Sequence, residues 1–212
     1  MANKKTNRTI VVFAKAPIPG EVKTRLMPFL SAGKAAALHR NLVNHTLRTV
    51  ACLPHYTVEL WVGSQHSWWD ELAGQYGLAV FEQRGENLGE RMSFALENTL
   101  QRSEQVVIVG TDCPSISAQY LQQAFDGVEQ GGVVIGPADD GGYVLLGLNR
   151  SLPWLFNAMP WGGDDVFATT VARLQQAELN WLELESLMDI DRPEDLIRLE
   201  QLRPDLTLGL GI

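Results

Sequence analysis

Cysteine is scarce: Cys52 and Cys113 are the only two in 212 residues. Two are too few for a disulfide scaffold, and neither sits at a zinc-ligand spacing, so the chain reads as a protein of a reducing cytoplasm. Long hydrophobic runs are missing too. The first apolar stretch, residues 10–14, is too short for a signal-peptide core, and nothing approaches a membrane span. Positive charge is in deficit, with 17 Lys plus Arg against 25 Asp plus Glu and a net charge of −8. No broad basic face can be built from so few cations, which argues against general nucleic-acid binding. No internal repeat or low-complexity linker appears. The length and a 45% hydrophobic content fit one α/β domain with a full core, or at most two small ones. The expected layout is a disordered tail over 1–8, a domain over 9–202 and a second tail over 203–212.

Against that acidic background the cations of residues 10–26, IVVFAKAPIPGEVKTRL, stand out. The apolar run predicts a strand buried on both faces of a parallel sheet. Pro17, Pro19 and Gly20 then impose a loop. A loop leaving a buried strand lies at the strand's carboxyl end, where open α/β sheets bind ligands. Ala14, Lys15, Gly20, Lys23 and Arg25 are therefore candidate phosphate or nucleotide contacts. Lysine supplies a movable point charge and arginine a planar fork, a pair suited to a di- or triphosphate.

The spacing predicts a helix over 31–52, a strand over 57–62, a short helix over 67–76 and a strand over 78–81. His39 and His45 lie in the first helix without a ligand partner at i+4 and read as surface histidines. Trp68 and Trp69 read as packing residues. The segment 83–92, QRGENLGERM, also leaves the sheet at a strand end and opens a helix over 88–101. Gly89 would let a ligand approach the backbone, and Arg84 or Arg91 would meet phosphate or pair with Glu82, Glu86 or Glu90. A central strand over 105–109 runs into Gly110, Thr111 and Asp112. An ionised Asp at the end of a buried strand needs a positive partner, and Mg²⁺ with substrate phosphates is the natural one. Ser117 caps the helix that follows. Residues 133–136 and 144–148 form strands joined by a tight antiparallel turn at Asp139, Asp140, Gly141 and Gly142. Those two carboxylates and glycines could also wall a polar substrate. A helix to 176 and a last strand over 180–184 lead to Asp189-Ile190-Asp191. Alternation points both aspartates one way, so they could hold a divalent ion with Asp112. Pro193 opens the next helix.

FAKAPIPGEVKTRL, NLGERM, VGTDCPSI, GPADDGGYVLLGL and DIDRPEDL resemble, in that order, the hallmarks of a bacterial family labelled glycosyltransferase-like, DUF2064. That family is similar to phospholactate guanylyltransferases and, more distantly, to molybdenum-cofactor nucleotidyltransferases. The resemblance covers roughly residues 9–200. It implies a nucleotide-diphospho-sugar transferase (GT-A, Rossmann-like) fold, a mixed and mainly parallel sheet with helices on both faces. It implies further that Lys23 and Arg25 hold a triphosphate, and that Asp112, Asp189 and Asp191 hold Mg²⁺ or Mn²⁺. Trp161 is followed by Gly162-Gly163 where the pattern has a Ser-Thr pair, which bears on the acceptor.

The chemistry expected is Mg-dependent transfer from a nucleotide substrate. One form is nucleotidyl transfer from a nucleoside triphosphate to a small phosphorylated or hydroxyl acceptor. Another is glycosyl transfer from a nucleotide-sugar, with Asp139 or Asp140 as base. A non-catalytic nucleotide-binding module is a third reading. Positioning and electrostatics carry such reactions, so no histidine or cysteine nucleophile is required.

Overall fold

The structure is a computed structural model that describes residues 8–211. Seven strands form one sheet in the order β3-β2-β1-β4-β6-β5-β7. They are β1 (Arg8–Ala14), β2 (Tyr56–Val62), β3 (Ala79–Glu82), β4 (Gln105–Val109), β5 (Val133–Pro137), β6 (Tyr143–Leu148) and β7 (Leu182–Glu183). Only β6 runs against its neighbours, pairing antiparallel with both β4 and β5. The reversal follows from the turn over 139–142, which is too short for a crossover to a parallel strand. Strand order changes direction at β1, which pairs with β2 on one side and β4 on the other. The crevice between the ends of β1 and β4 is thus a topological switch point.

Helices cover both faces: α1 (Ala32–Ala51), α2 (Trp68–Tyr76), α3 (Leu88–Leu100), α4 (Ala118–Gly131), α5 (Val166–Gln176), α6 (Pro193–Leu202) and α7 (Pro204–Thr207). Alternation along β1 divides the core. Ile10 and Val12 pack with Leu47 of α1 and Phe125 of α4, whereas Val11 packs with Leu96 of α3 and Leu174 of α5. Each such buried aliphatic side chain contributes about 1.5–3 kcal/mol of transfer free energy, which fixes the sheet between its two helical layers. Ser31, Asn87 and Ser117 cap α1, α3 and α4 through their side-chain oxygens. Trp68 and Trp69 are buried, as expected for packing residues.

A third apolar cluster joins Leu38 and Leu42 of α1 to Ile190, Leu196 and Leu206. It docks the chain after β7 beside the loop that follows β1. The segment expected as a C-terminal tail carries α7 and buries Leu206 and Leu210 there. Most of the expected N-terminal tail, residues 1–7, lies outside the described residues, and Arg8 already belongs to β1. Both cysteines are free thiols, and among the described residues no helix is long and apolar enough to cross a membrane.

Candidate functional site

At the carboxyl edge of the sheet β1 ends at Ala14, and Lys15 begins the proline-rich loop. Lys15 is exposed and, among the described residues, is held in no ion pair. Gly20 has φ +90°, a turn conformation that glycine adopts without a Cβ clash. Its position is open, with no heavy atom within 4 Å of an added Cβ, so it shapes the loop rather than lining a cavity. Lys23 lies in the left-handed region at φ 52°, which is uncommon for a residue with a Cβ.

Its side chain explains why that conformation persists. Lys23 is buried, its ammonium stands 2.7 Å from Asp112 Oδ1, and it also donates to the Ile190 carbonyl. The Ile190 N–H donates in turn to the Asp112 carbonyl at 2.9 Å. Arg25 extends to Asp191, with Nη1 2.5 Å from Oδ2. The two cations expected on phosphate therefore staple the first loop to the Asp112 turn and to the segment after β7. Asp191, expected on a metal with Asp112 and Asp189, gives Oδ2 to Arg25 and lines a neighbouring cavity with Asp189, not the one that holds Asp112. Among the described residues no group of three or more His, Cys, Asp or Glu is placed to hold a metal ion.

Asp112 is two-sided. Oδ1 is buried against Lys23, while the side chain as a whole is 48% exposed. Burial would raise its carboxyl, but the Lys23 ammonium, with Lys15 beyond it, outweighs that and holds it below the usual carboxylate range. His39 is the residue that sequence reasoning misplaced. It is 3% exposed, because it shares the inward face of α1 with Ala35, Leu38 and Leu42. That helical spacing was the available signal. Its Nε2 lies 2.9 Å from the Lys15 carbonyl, which can only accept, so Nε2 carries the proton. Nδ1 then presents a lone pair, without a partner, 3.9 Å from Asp112 Oδ1. Burial lowers the pKa of His39, which keeps the ring neutral. His45 is also engaged: its ring lies 2.9 Å from the Pro114 carbonyl and 3.0 Å from Arg203.

These groups surround a cavity of about 290 Å³ lined by Ala14, Lys15, His39, Asp112, Asp140 and Asp189. Gln83, also missed, lines it while donating to the Trp61 carbonyl at 2.9 Å. Burial first, then Asp140 and Asp112, pushes the Asp189 carboxyl up to about 6. An anion raised in this way binds a cation readily, since a nearby positive charge removes the penalty. Asp140 rather than Asp191 is the third carboxylate of the cleft, because the glycine turn places it there. Its Oδ1 accepts from the Gly142 N–H at 2.9 Å. Gly141 has φ +87°, and a Cβ there would meet the Asp164 carbonyl oxygen at 2.0 Å. Asp139 lies outside that cavity and lines a neighbouring one with Asp140, Asp189 and Asp191, accepting from Ser186 Oγ at 2.9 Å and lying 3.6 Å from Arg198.

A second cavity, of about 190 Å³, adjoins the first and shares Phe13, Leu88, Gly110, Asp140, Gly142 and Tyr143 with it. Trp161 forms part of its wall. Gly89 does not line either cavity; an added Cβ would meet the Trp161 ring at 2.7 Å, so its role is close packing. Arg91 donates to the Gly85 carbonyl at 2.9 Å and Arg84 lies over Phe94, so both brace the loop before α3.

A family profile described as an uncharacterized protein conserved in bacteria, DUF2064, matches residues 46–163. A candidate nucleotide-diphospho-sugar transferase from Desulfovibrio desulfuricans G20 superposes with a TM-score of 0.83 at 31% identity. That match covers 92% of this chain and 88% of the other. A CMP:2-keto-3-deoxy-manno-octonic acid synthetase complexed with CTP shares the fold at a TM-score of 0.61 and 11% identity, covering 94% and 99% of the two chains. A manganese complex of Rv0371c from Mycobacterium tuberculosis H37Rv shares it at 0.57 and 18%, covering 93% and 100%. A search of curated protein sequences gave no significant match. The fold is the nucleotide-diphospho-sugar transferase fold, with its mixed, mainly parallel sheet, and the chain belongs to the DUF2064 family.

Proposed function

We propose that the protein is a divalent-metal-dependent transferase acting on a nucleotide substrate, with nucleotidyl transfer from a nucleoside triphosphate to a small acceptor as the first reading. The observation that carries it is Lys15, in no ion pair among the described residues, which lines one cavity with Asp112 and the raised carboxyl of Asp189. A cation and two carboxylates at a switch point match a phosphate chain accompanied by a metal ion. Proteins of this fold have been solved with CTP and with manganese.

The donor set fits Mg²⁺ or Mn²⁺. Lys23 occupies only Oδ1 of Asp112, and half of that side chain opens to the cleft. Asp112 and Asp189 would hold the ion, an arrangement of one or two carboxylates completed by substrate phosphates. When bound, it supplies a Lewis acid that offsets phosphate charge. Lys15 would meet the phosphates directly and stabilise charge growing on the leaving group. Lys23 would act through Asp112, fixing its carboxyl, and Arg25 through Asp191. In the nucleotidyl reaction an acceptor oxygen attacks the α-phosphorus and forms the new P–O bond. The bond to the β-phosphate oxygen breaks, and pyrophosphate leaves.

Glycosyl transfer is the second reading. Two of the first loop's cations are already neutralised by aspartates, and a single lysine in no ion pair among the described residues suits a diphosphate. The description of the Desulfovibrio relative points the same way. Here Asp140 would take the acceptor proton as the sugar–phosphate bond breaks.

Thermal shifts with Mn²⁺ and a panel of nucleoside triphosphates, UDP-sugars and GDP-sugars separate the readings. Stabilisation by triphosphates alone supports nucleotidyl transfer, and stabilisation by nucleotide-sugars supports glycosyl transfer. A response to neither would sink both. Undiminished binding in Asp112→Asn would mark a non-catalytic nucleotide-binding module.

A further inference from the structure

We propose that the apolar end of the cleft is the acceptor subsite, and that it takes an uncharged moiety with an apolar face, such as an aromatic ring or short alkyl group. This rests on the transferase reading above and names the class of its second substrate.

The two adjoining cavities divide the chemistry. Lys15, Asp112 and Asp189 line only the larger one. The smaller is walled by Met92, Ile108, Leu146, Trp161 and Val166, and among the described residues its only charged side chain is Asp140, at the shared boundary. A phosphate entering it would lose water and meet no cation, so phosphates are confined to the Lys15 end. A hexose fares poorly for a related reason. Its ring of hydroxyls needs many partners, and the lining side chains offer few. These are the Tyr143 hydroxyl and Asp140, already engaged by the Gly142 N–H; the Trp161 indole N–H is buried on the Gly89 side of its ring. A nucleobase fits no better, because each unmet donor or acceptor on its edge costs roughly tenfold in affinity.

What the cavity does offer is aromatic surface. Trp161 stands edge-on to Tyr143 with ring centroids 6.3 Å apart and lies near-parallel to Phe156 at 6.4 Å. Gly162 and Gly163 follow Trp161 on the wall and add no side chain, which keeps that part of the space open. Gly162 has φ +85°, so its conformation itself favours glycine. The shared boundary at Gly110 and Asp140 is where a polar atom on such an acceptor would meet the donor phosphates, while its apolar body sits against Trp161.

Isothermal titration of the full chain with 4-methyl-, 4-ethyl- and 4-propylphenol tests this, with glucose and inorganic phosphate as polar controls. Affinity should rise roughly fourfold per added methylene until the cavity is full. Trp161→Ala should weaken the phenols by about tenfold or more. Leu88→Gln, at an exposed boundary position, should weaken them severalfold and keeps the test informative if Trp161→Ala is unstable. Nucleotide affinity with Mn²⁺, measured on the same samples, should be unchanged in Trp161→Ala. Flat affinities across the series, binding of glucose instead, or loss of nucleotide with Trp161→Ala would each overturn the inference. Phenol binding intact alongside no nucleotide binding would refute the transferase reading while leaving the apolar site standing.

Discussion

Replacing Lys23 by Met keeps most of the aliphatic stem and deletes the ammonium, which separates a structural staple from a ligand contact. The charge sits 2.7 Å from Asp112 Oδ1 and also serves the Ile190 carbonyl, on a side chain only 3% exposed. Breaking a fully buried pair from one side costs about 3–5 kcal/mol. Asp112 is 48% exposed, so water reaches it and the cost must be discounted. We expect about 2–3 kcal/mol, close to one charged hydrogen bond plus an unpaired carbonyl. For a chain of this length that is a fall in Tm of roughly 5–10 °C. Urea unfolding of Lys23→Met, Asp112→Asn and the double variant gives the coupling, expected at about 1 kcal/mol or more. The pH dependence adds a second check. Asp112 is held below its ordinary value, so its contribution is present above the unfolded carboxylate range and is lost as pH falls through the folded pKa. That acid-side loss should flatten in Lys23→Met. Stability within about 0.5 kcal/mol of the parent, with no coupling, would refute the staple and return Lys23 to the role of a free phosphate contact.

Further outcomes follow from the same geometry. Asp189 is raised to about 6 when folded, so the native state holds the extra proton and stability should decline from about pH 4 to pH 6. Asp189→Asn should remove that decline in a Tm-versus-pH series, and Mn²⁺ should bind more tightly at pH 7.5 than at pH 5.5. Lys15→Ala should leave urea stability within about 0.5 kcal/mol while weakening nucleotide binding by at least about tenfold, as a charged phosphate contact is worth roughly 1.5–3 kcal/mol. Equal affinity in titration calorimetry would remove Lys15 from the site. Gly141→Ala combines φ +87° with a Cβ 2.0 Å from the Asp164 carbonyl oxygen, so a loss of about 3 kcal/mol or more is expected in urea unfolding.

Much of the architecture was legible because it is local. The apolar run of β4 has one reading, a central strand, and every residue of it is buried. Pro193 at the first turn of α6 and the glycine turn before β6 were equally direct, since backbone sterics act over a few residues. Asp112 at a strand end identified the cleft for the same reason. How far each element extends into the third cluster was not legible. Leu206 and Leu210 looked like tail residues, because nothing nearby in sequence says that α1 waits to cover them.

The sequence alone determined that cations and carboxylates would gather at the strand ends, because strand polarity and loop chemistry are written residue by residue. Only the tertiary structure decided how they pair. Lys23 and Arg25 found Asp112 and Asp191 across at least 89 positions of chain, while Lys15, in no ion pair among the described residues, lines the cavity with Asp112, Asp140 and Asp189. The reason is physical: a charge takes the partner that the fold brings within a few ångströms, and that distance depends on packing between segments remote in sequence.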